Sequence, residues 1–353
     1  MMLLRGLGLL LLLTASFLRA EPLIDFPTDN RNLLAGHPEE FFMYVNRDFE
    51  NEKSKPWQGG QYGFVRGPVR EAGQVVYIQM HEGVDIAPMH RDPAGNPLDE
   101  VRAAATGQVV HASKLAGASN YGRYVVIEHN WDGCAYYTLY AHLSQILVEP
   151  GQAVRQGQVI GIMGFTGAGI DKERAHTHFE VCLMMSKDFE SWQKYNFPAD
   201  PNPHGLYNGL NLYGIDPAGL LLAAASNPSL HISDYIATLP PAFSVTINNS
   251  PGFELPRNYP WMVPRGSPAT PPAWTVTFSR HAVPLKIVPA AQAVAQPTVT
   301  WVKDTGGVPL RHATRGLVTG TPSAPKLTDS GLRLVNLLSW QAPPVVPGLP
   351  LGR

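Results

Sequence analysis

The chain has 353 residues, 44% of them hydrophobic and 16% charged, which is ample material for a packed core and suggests two domains. A formal net charge of −1 gives no electrostatic basis for binding nucleic acid or an anionic membrane, so any partner must be recognised by a site.

Residues 1–20, MMLLRGLGLLLLLTASFLRA, read as a secretory signal peptide: an arginine, a leucine-rich run, then the small residue Ala20 ahead of a cut. The run is short of the about 20 residues of a membrane span, and an uncleaved anchor is the other reading. No cysteine sits at the cut, which argues against a lipid anchor, and no other stretch is apolar enough to cross a bilayer. Residues 21–58 read as an N-terminal arm packed on the next domain, with one short helix in HPEEFFMYVNRDF. From 59 to 185, short β-branched and aromatic runs alternate with glycine turns: QVVYIQM, GQVVHAS, RYVVIEH, AYYTLYAH, QVIGIMG and HTHFEVCL. That spacing predicts an antiparallel all-β domain. There is no βαβ alternation, and GFTGAG at 164–169 lies between strands rather than opening a helix. Residues 186–210 read as a linker. In 211–353 the pattern predicts a helix at DPAGLLLAAAS, with Pro217 in its first turn. Strands follow at AFSVTIN, WTVTFSR, LKIVP and TVTWVKD, then a helix at LTDSGLRLVNLLSW capped by Thr328 or Asp329, then a loose proline-rich tail. This half reads as a β-rich or α+β accessory domain without chemistry of its own.

The chemistry concentrates in three places. In RAHTHFEV, His176 and His178 are two apart, so on a strand they share a face, about 6.5–7 Å from each other along it. One can bind a metal while the other reaches what the metal binds; the plainer alternative is two polar residues on the solvent face of a half-buried strand. In HEGVD, His81 and Asp85 also share a face of an extended segment. With His178 they make two imidazoles and a carboxylate, a ligand set suited to a catalytic zinc with a fourth position open. In LYAHLS, His142 ends an aromatic strand, either as an acid or base near the metal or as an edge histidine bonded to a backbone carbonyl.

In order, GQYGFVR, HEGVD, AAATGQVVHA, NYGRYVVIEHN, YYTLYAHLS, VEPGQAVRQGQVIGIMGFTG and AHTHFEV closely resemble the M23 family of zinc metallopeptidases, the lysostaphin and LytM-like cell-wall endopeptidases. The resemblance covers about 59–185 and implies a small antiparallel β-sheet with a groove over one zinc ion. It implies His81, Asp85 and His178 as metal ligands and His142 and His176 as the catalytic pair, with acid and base unassigned between them. Asn120 and Tyr121 fall on the family's glycine-rich hairpin, where they either line the groove or serve the turn. Arg66 and Glu180 read as structural. His90, His111 and His129 lack partners at metal spacing and, with His37, His204, His231, His281 and His312, read as surface or satisfied polar residues. PMHRDPAGNPLDEV is longer than the family's connection after HxxxD and reshapes one wall of the groove on this reading.

The expected function is therefore a secreted zinc endopeptidase acting on peptidoglycan peptide, periplasmic or extracellular, with no nucleic-acid partner and no membrane contact after signal removal. A non-catalytic wall-binding or hydrolase-regulating module is the alternative, and the complete set of five residues favours the enzyme. VEPGQAVRQGQVIG also resembles the turns of lipoyl and biotinyl carrier domains, but the turn has no lysine to carry a prosthetic group. Asn30 or Asn32 occupying the zinc in a latent form is one role for the arm. The scissile bond, the oligomeric state and the pairing of Cys134 with Cys182 stay open at this point.

Overall fold

The computed structural model describes residues 21–71 and 73–341; the expected signal segment and the proline-rich tail lie outside the described residues. Four of the alternating runs, GQVVHAS, RYVVIEH, AYYTLYAH and HTHFEVCL, enter one antiparallel sheet, with Ala153–Val154, Gly107–Ser113, Tyr124–Trp131, Cys134–Ala141 and Thr177–Met184 side by side in that order, while QVIGIMG supplies Val159–Ile162 of a separate three-stranded sheet. The outer edge of Thr177–Met184 is shared: Val84–Ile86 pairs with its first half and Leu212–Ile215 with its second.

Side chains of successive strand residues alternate between faces. Phe179, Val181 and Leu183 therefore enter a core with Ile86, Val125 and Tyr140. Cys182 and Met184 face the other way, onto Tyr124, Val126 and Leu139. Both faces are covered, and every residue of Thr177–Met184 is buried. The histidine pair thus has no solvent face, which removes the plainer reading of RAHTHFEV. The same alternation settles the cysteines. Cys182 pairs across the strands with Tyr137, an odd number of residues from Cys134, so the two thiols point to opposite faces; both are free and buried.

The Gly63–Glu71 and Gln74–His81 strands form a separate two-stranded ribbon that delivers His81 to the sheet edge. In the arm, the expected helix is only the turn Pro38–Phe41. It stops because consecutive phenylalanines find different partners: Phe41 packs edge-on to Phe26, and Phe42 stacks on Trp57 and bridges Ile86. Extended backbone then lets the Met43 amide donate to the Asp85 carbonyl at 2.8 Å.

Beyond the sheet, Pro284–Ala290, Ala273–Ser279, Pro241–Asn248 and Thr298–Val302 make a four-stranded antiparallel sheet in that order. Asp216 caps Pro217–Ser226 by accepting from the Ala218 amide, and Thr328 caps Asp329–Leu338 by accepting from Gly331. The stretch read as a linker holds the helix Phe189–Asn196, and Leu212–Ile215 joins the central sheet. One apolar cluster runs from Ile86 and Phe179 to Phe243, Ile287 and Leu334.

His129 lies inside this body, stacked on Trp131 at 4.8 Å and bonded to the Thr106 carbonyl and the Thr138 hydroxyl. Burial pushes its pKa down to about 4. The folded state then stays neutral at this ring while the unfolded chain takes up a proton below about 6.5. Stability from this group is present above that pH and is lost as pH falls from about 6.5 to about 4, by up to about 1.4 kcal/mol per pH unit. Urea denaturation across that window should show a shallower pH slope for His129→Gln than for the parent; equal slopes would contradict the assignment.

Candidate active site

Backbone pairing sets the site before any side chain is considered. His178 is the direct cross-strand partner of both Asp85 and Ala141, which brings the two segments carrying Asp85 and His142 beside it. His142 follows Ala141 with φ +63°, a left-handed conformation unusual for a residue with a Cβ. Its amide donates to the Tyr121 carbonyl at 2.9 Å, and this turns the ring off the strand line and into the cleft. The His176 amide donates to the Gly164 carbonyl at 3.2 Å, fixing the entry to the strand.

The side chains converge. His81 Nε2 is 3.0 Å from His178 Nδ1, and Asp85 Oδ1 is 3.1 Å from the first and 3.0 Å from the second. A tetrahedral ion with bonds of about 2.0–2.1 Å holds its donors about 3.3 Å apart, so this triangle matches a zinc-type ligand set with little adjustment. His176 Nε2 lies 3.3 Å from the same Asp85 oxygen, and the His142 ring stands edge-on to His176 at 4.7 Å. These residues line a cleft of about 240 Å³ with Arg66, Met80, Glu82, Asn120, Tyr121, Ala168, Ile170 and Glu180.

Each imidazole is tethered at its far nitrogen. His81 Nδ1 donates to the Gln61 carbonyl at 2.7 Å, His142 Nδ1 to Thr166 at 2.9 Å and His176 Nδ1 to Arg174 at 2.6 Å. His178 Nε2 meets Glu180 Oε1 at 2.8 Å. An imidazole that donates through one nitrogen keeps a lone pair on the other. The tethers thus direct His81 Nε2 and His178 Nδ1 towards Asp85 Oδ1, a grouping that could hold a metal ion, and leave the His142 and His176 rings beside it.

Electrostatics point the same way. Burial opposes charge on Asp85, but His176, His81 and Arg66 overcome it and hold the carboxyl well below the usual carboxylate range. Burial likewise opposes charge on His178, yet Asp85 and Glu180 raise its pKa to about 9. A nitrogen with that proton affinity is a favourable place for a cation. Burial pushes His142 well below its ordinary value, helped by His176 and His178.

Two residues read as structural from sequence stand inside the cleft. Arg66 donates to Asp85 Oδ2 at 2.5 Å, lies 3.1 Å from His81 Nε2 and is anchored by Nε on the Gly59 carbonyl. Glu180 holds His178 and in turn accepts from the Tyr121 hydroxyl at 2.8 Å. The period-two rule that joins His176 to His178 also reaches Glu180, so that signal was available in the sequence. Arg66 had none, because it is aimed by a register shift between Phe64 and Arg66. Asn120 is exposed at the rim, and Tyr121 is inside. The latent role considered for Asn30 is corrected: its amide is buried and committed to the carbonyls of Glu40 and Ala87, each at 3.0 Å. Asn32 does not line the cleft.

Glu180→Gln keeps an acceptor for His178 but removes the charge, and should weaken metal binding about 10-fold. Competition with a chromophoric chelator measures this; unchanged affinity would show that Glu180 does not support the ligand.

The profile of Peptidase family M23 matches residues 79–188. The peptidoglycan DD-endopeptidase ShyB of Vibrio cholerae is 37% identical over 131 residues, which is 34% of this chain and 27% of that one. Lipoprotein NlpD of Yersinia enterocolitica is 36% identical over 90 residues, 26% of this chain and 84% of its own length. Among solved structures, the catalytic domain of lysostaphin from Staphylococcus simulans is 32% identical, covering 34% of this chain and 75% of that one, with a TM-score of 0.24. The matched stretch spans 27% to 29% of the first two curated relatives and 18% of the third. Residues 79–188 hold His81, Asp85, His142, His176 and His178, and by this shared stretch the chain belongs to peptidase family M23.

Proposed function

We propose that this protein is an exported zinc metalloendopeptidase that hydrolyses peptide bonds in peptidoglycan cross-links. The observation that carries the reading is the division of labour in one cleft: three donors within 3.1 Å of each other, beside two further imidazoles whose Nδ1 atoms are tethered to backbone carbonyls. His81 Nε2, Asp85 Oδ1 and His178 Nδ1 would hold the ion, which supplies Lewis acidity towards water and towards the scissile carbonyl.

The remaining steps belong to the chain. One of His142 and His176 takes the proton of the attacking water, and one gives a proton to the leaving nitrogen as the C–N bond breaks. The products are a carboxylate and an amine, so one water is consumed and the protons balance. Imidazole suits both transfers because one ring nitrogen can take or give a proton while the other stays tethered. Glu180 holds the His178 ring, Arg66 holds the second oxygen of Asp85, and Asn120 offers an exposed amide to a peptide at the rim. The Tyr121 hydroxyl is committed to Glu180 and so supports the ligand shell rather than the substrate.

Peptidoglycan as substrate draws support from the peptidoglycan DD-endopeptidase ShyB, with which this chain shares the site-bearing stretch. Export draws support from the leucine-rich segment at residues 1–20 and from the location of such a substrate outside the membrane. Among the described residues no helix is long and apolar enough to cross a membrane.

Purified peptidoglycan digested by the zinc-loaded protein should yield fragments with new peptide termini by mass spectrometry, and His178→Ala should yield none. His142→Ala and His176→Ala should each lower kcat at least about 100-fold with zinc still bound. Intact peptidoglycan with zinc confirmed in the protein, or fragments that persist in His178→Ala, would overturn the reading.

A further inference from the structure

The insertion PMHRDPAGNPLDEV, residues 88–101, contributes no residue to the cleft lining, yet it is closely tied together. It folds into a small hairpin: Arg91 bridges Pro97, and the Leu98 amide donates to the His90 carbonyl at 3.0 Å. Asp92 closes the tip by accepting from the Asn96 amide at 2.8 Å. The buried Asp99 closes the root, accepting from the amides of Met89 at 2.8 Å and His90 at 3.1 Å.

From this hairpin Arg91 reaches a loop about eighty residues on. Its Nη1 donates to the Lys172 carbonyl at 2.8 Å, as well as to Gly95 in its own hairpin, and its Nη2 donates to the Glu173 carbonyl at 2.9 Å. Lys172 Nζ returns a bond to the Ala94 carbonyl at 2.6 Å. The next carbonyl along, that of Arg174, is the one that accepts from His176 Nδ1. The planar guanidinium fork therefore fixes the two peptide units that lead directly into the tether of His176. Asp171 Oδ1, bonded to the Arg174 amide at 2.8 Å, tightens the same turn. The arm braces its far side, where Tyr44 and Lys55 meet Glu173 at 2.9 and 2.7 Å.

We infer that Arg91 is a positioning residue for catalysis: its fork on the carbonyls of Lys172 and Glu173 holds the Arg174 carbonyl where it orients the His176 ring. The catalytic half of this statement rests on His176 carrying a proton in the proposed reaction; the structural half does not. None of His81, Asp85 and His178 bonds Arg91, and each keeps its own partners: Gln61 for His81, Arg66 for Asp85 and Glu180 for His178.

The test uses the full zinc-loaded protein. The hydrogen-bonded Nδ1–H resonance of His176 is observed by ¹H–¹⁵N NMR and assigned by its absence in His176→Ala. It is then followed in Arg91→Met and in Arg91→Lys, which keeps the charge without the fork. Loss of the resonance in both variants supports the proposal when kcat is about 10-fold lower and KM and zinc affinity stay within about 2-fold. A retained resonance overturns it. So does a lost resonance with kcat unchanged, or a fall in kcat matched by an equal fall in zinc affinity. If the parent itself cleaves nothing, the peptidase reading fails separately, and the resonance alone decides whether Arg91 holds His176. If Arg91→Met does not fold, Arg91→Lys carries the comparison.

Discussion

One buried carboxylate organises this molecule. Asp85 is 2% exposed, and its Oδ1 faces nitrogens of His81, His176 and His178 at 3.0 to 3.3 Å while Oδ2 takes the Arg66 guanidinium. An isolated buried charge is costly, so each surrounding group compensates for that burial as well as serving chemistry. The constraint propagates outward. The register of Val84–Ile86 on Thr177–Met184 places Asp85 opposite His178, and the arm locks the Asp85 backbone through the Met43 amide. The ribbon Gly63–Glu71/Gln74–His81 brings in Arg66 and His81 together. The segments carrying Arg66, His81 and the His176–His178 pair thus meet at one carboxylate group.

A second layer of order lies behind the first. No ring in the cleft is left to choose its own orientation, because backbone carbonyls of Gln61, Thr166 and Arg174 and the Glu180 carboxylate fix the far nitrogens. This is preorganisation: the orientation of the groups is settled when the protein folds. It is bought with local strain at His142, whose left-handed backbone persists because Tyr121, Thr166 and the sheet hold it from several sides. Gly122 and Gly167 permit that support. A Cβ on Gly122 would come 2.4 Å from the Thr166 carbonyl carbon, and one on Gly167 would come 2.2 Å from the Asn120 carbonyl oxygen. The two cleft-lining loops can approach this closely only as glycine.

What the sequence made legible follows from range. Spacing within one strand is a local property, so His176 with His178, and His81 with Asp85, could be placed on common faces from the letters alone. The antiparallel character of 59–185 was legible for the same reason, as were the strands Pro241–Asn248, Ala273–Ser279, Pro284–Ala290 and Thr298–Val302 and the helices Pro217–Ser226 and Asp329–Leu338, down to the cap at Thr328. Arg66 depends on a register shift, and Arg91 on a contact across about eighty residues; neither leaves a periodic trace. The composition change near 211 marks a shift in texture, but Leu212–Ile215 completes the central sheet across it. Arg315 then crosses back to hold Glu82 at 2.9 Å beside His81. Likewise, the arm helix is short because two neighbouring phenylalanines are drawn to different parts of the core, a tertiary demand that local propensity does not encode.

The central claim is that His81, Asp85 and His178 hold a zinc ion while His142 and His176 stay free to move protons. Anomalous diffraction at the zinc edge, from crystals of the full protein grown with zinc, tests it most directly. The account predicts one strong peak at bonding distance from His81 Nε2, Asp85 Oδ1 and His178 Nδ1, with Nε2 of His142 and His176 unligated. A peak elsewhere, or one that takes His142 or His176 as a ligand in place of one of the three, would contradict it.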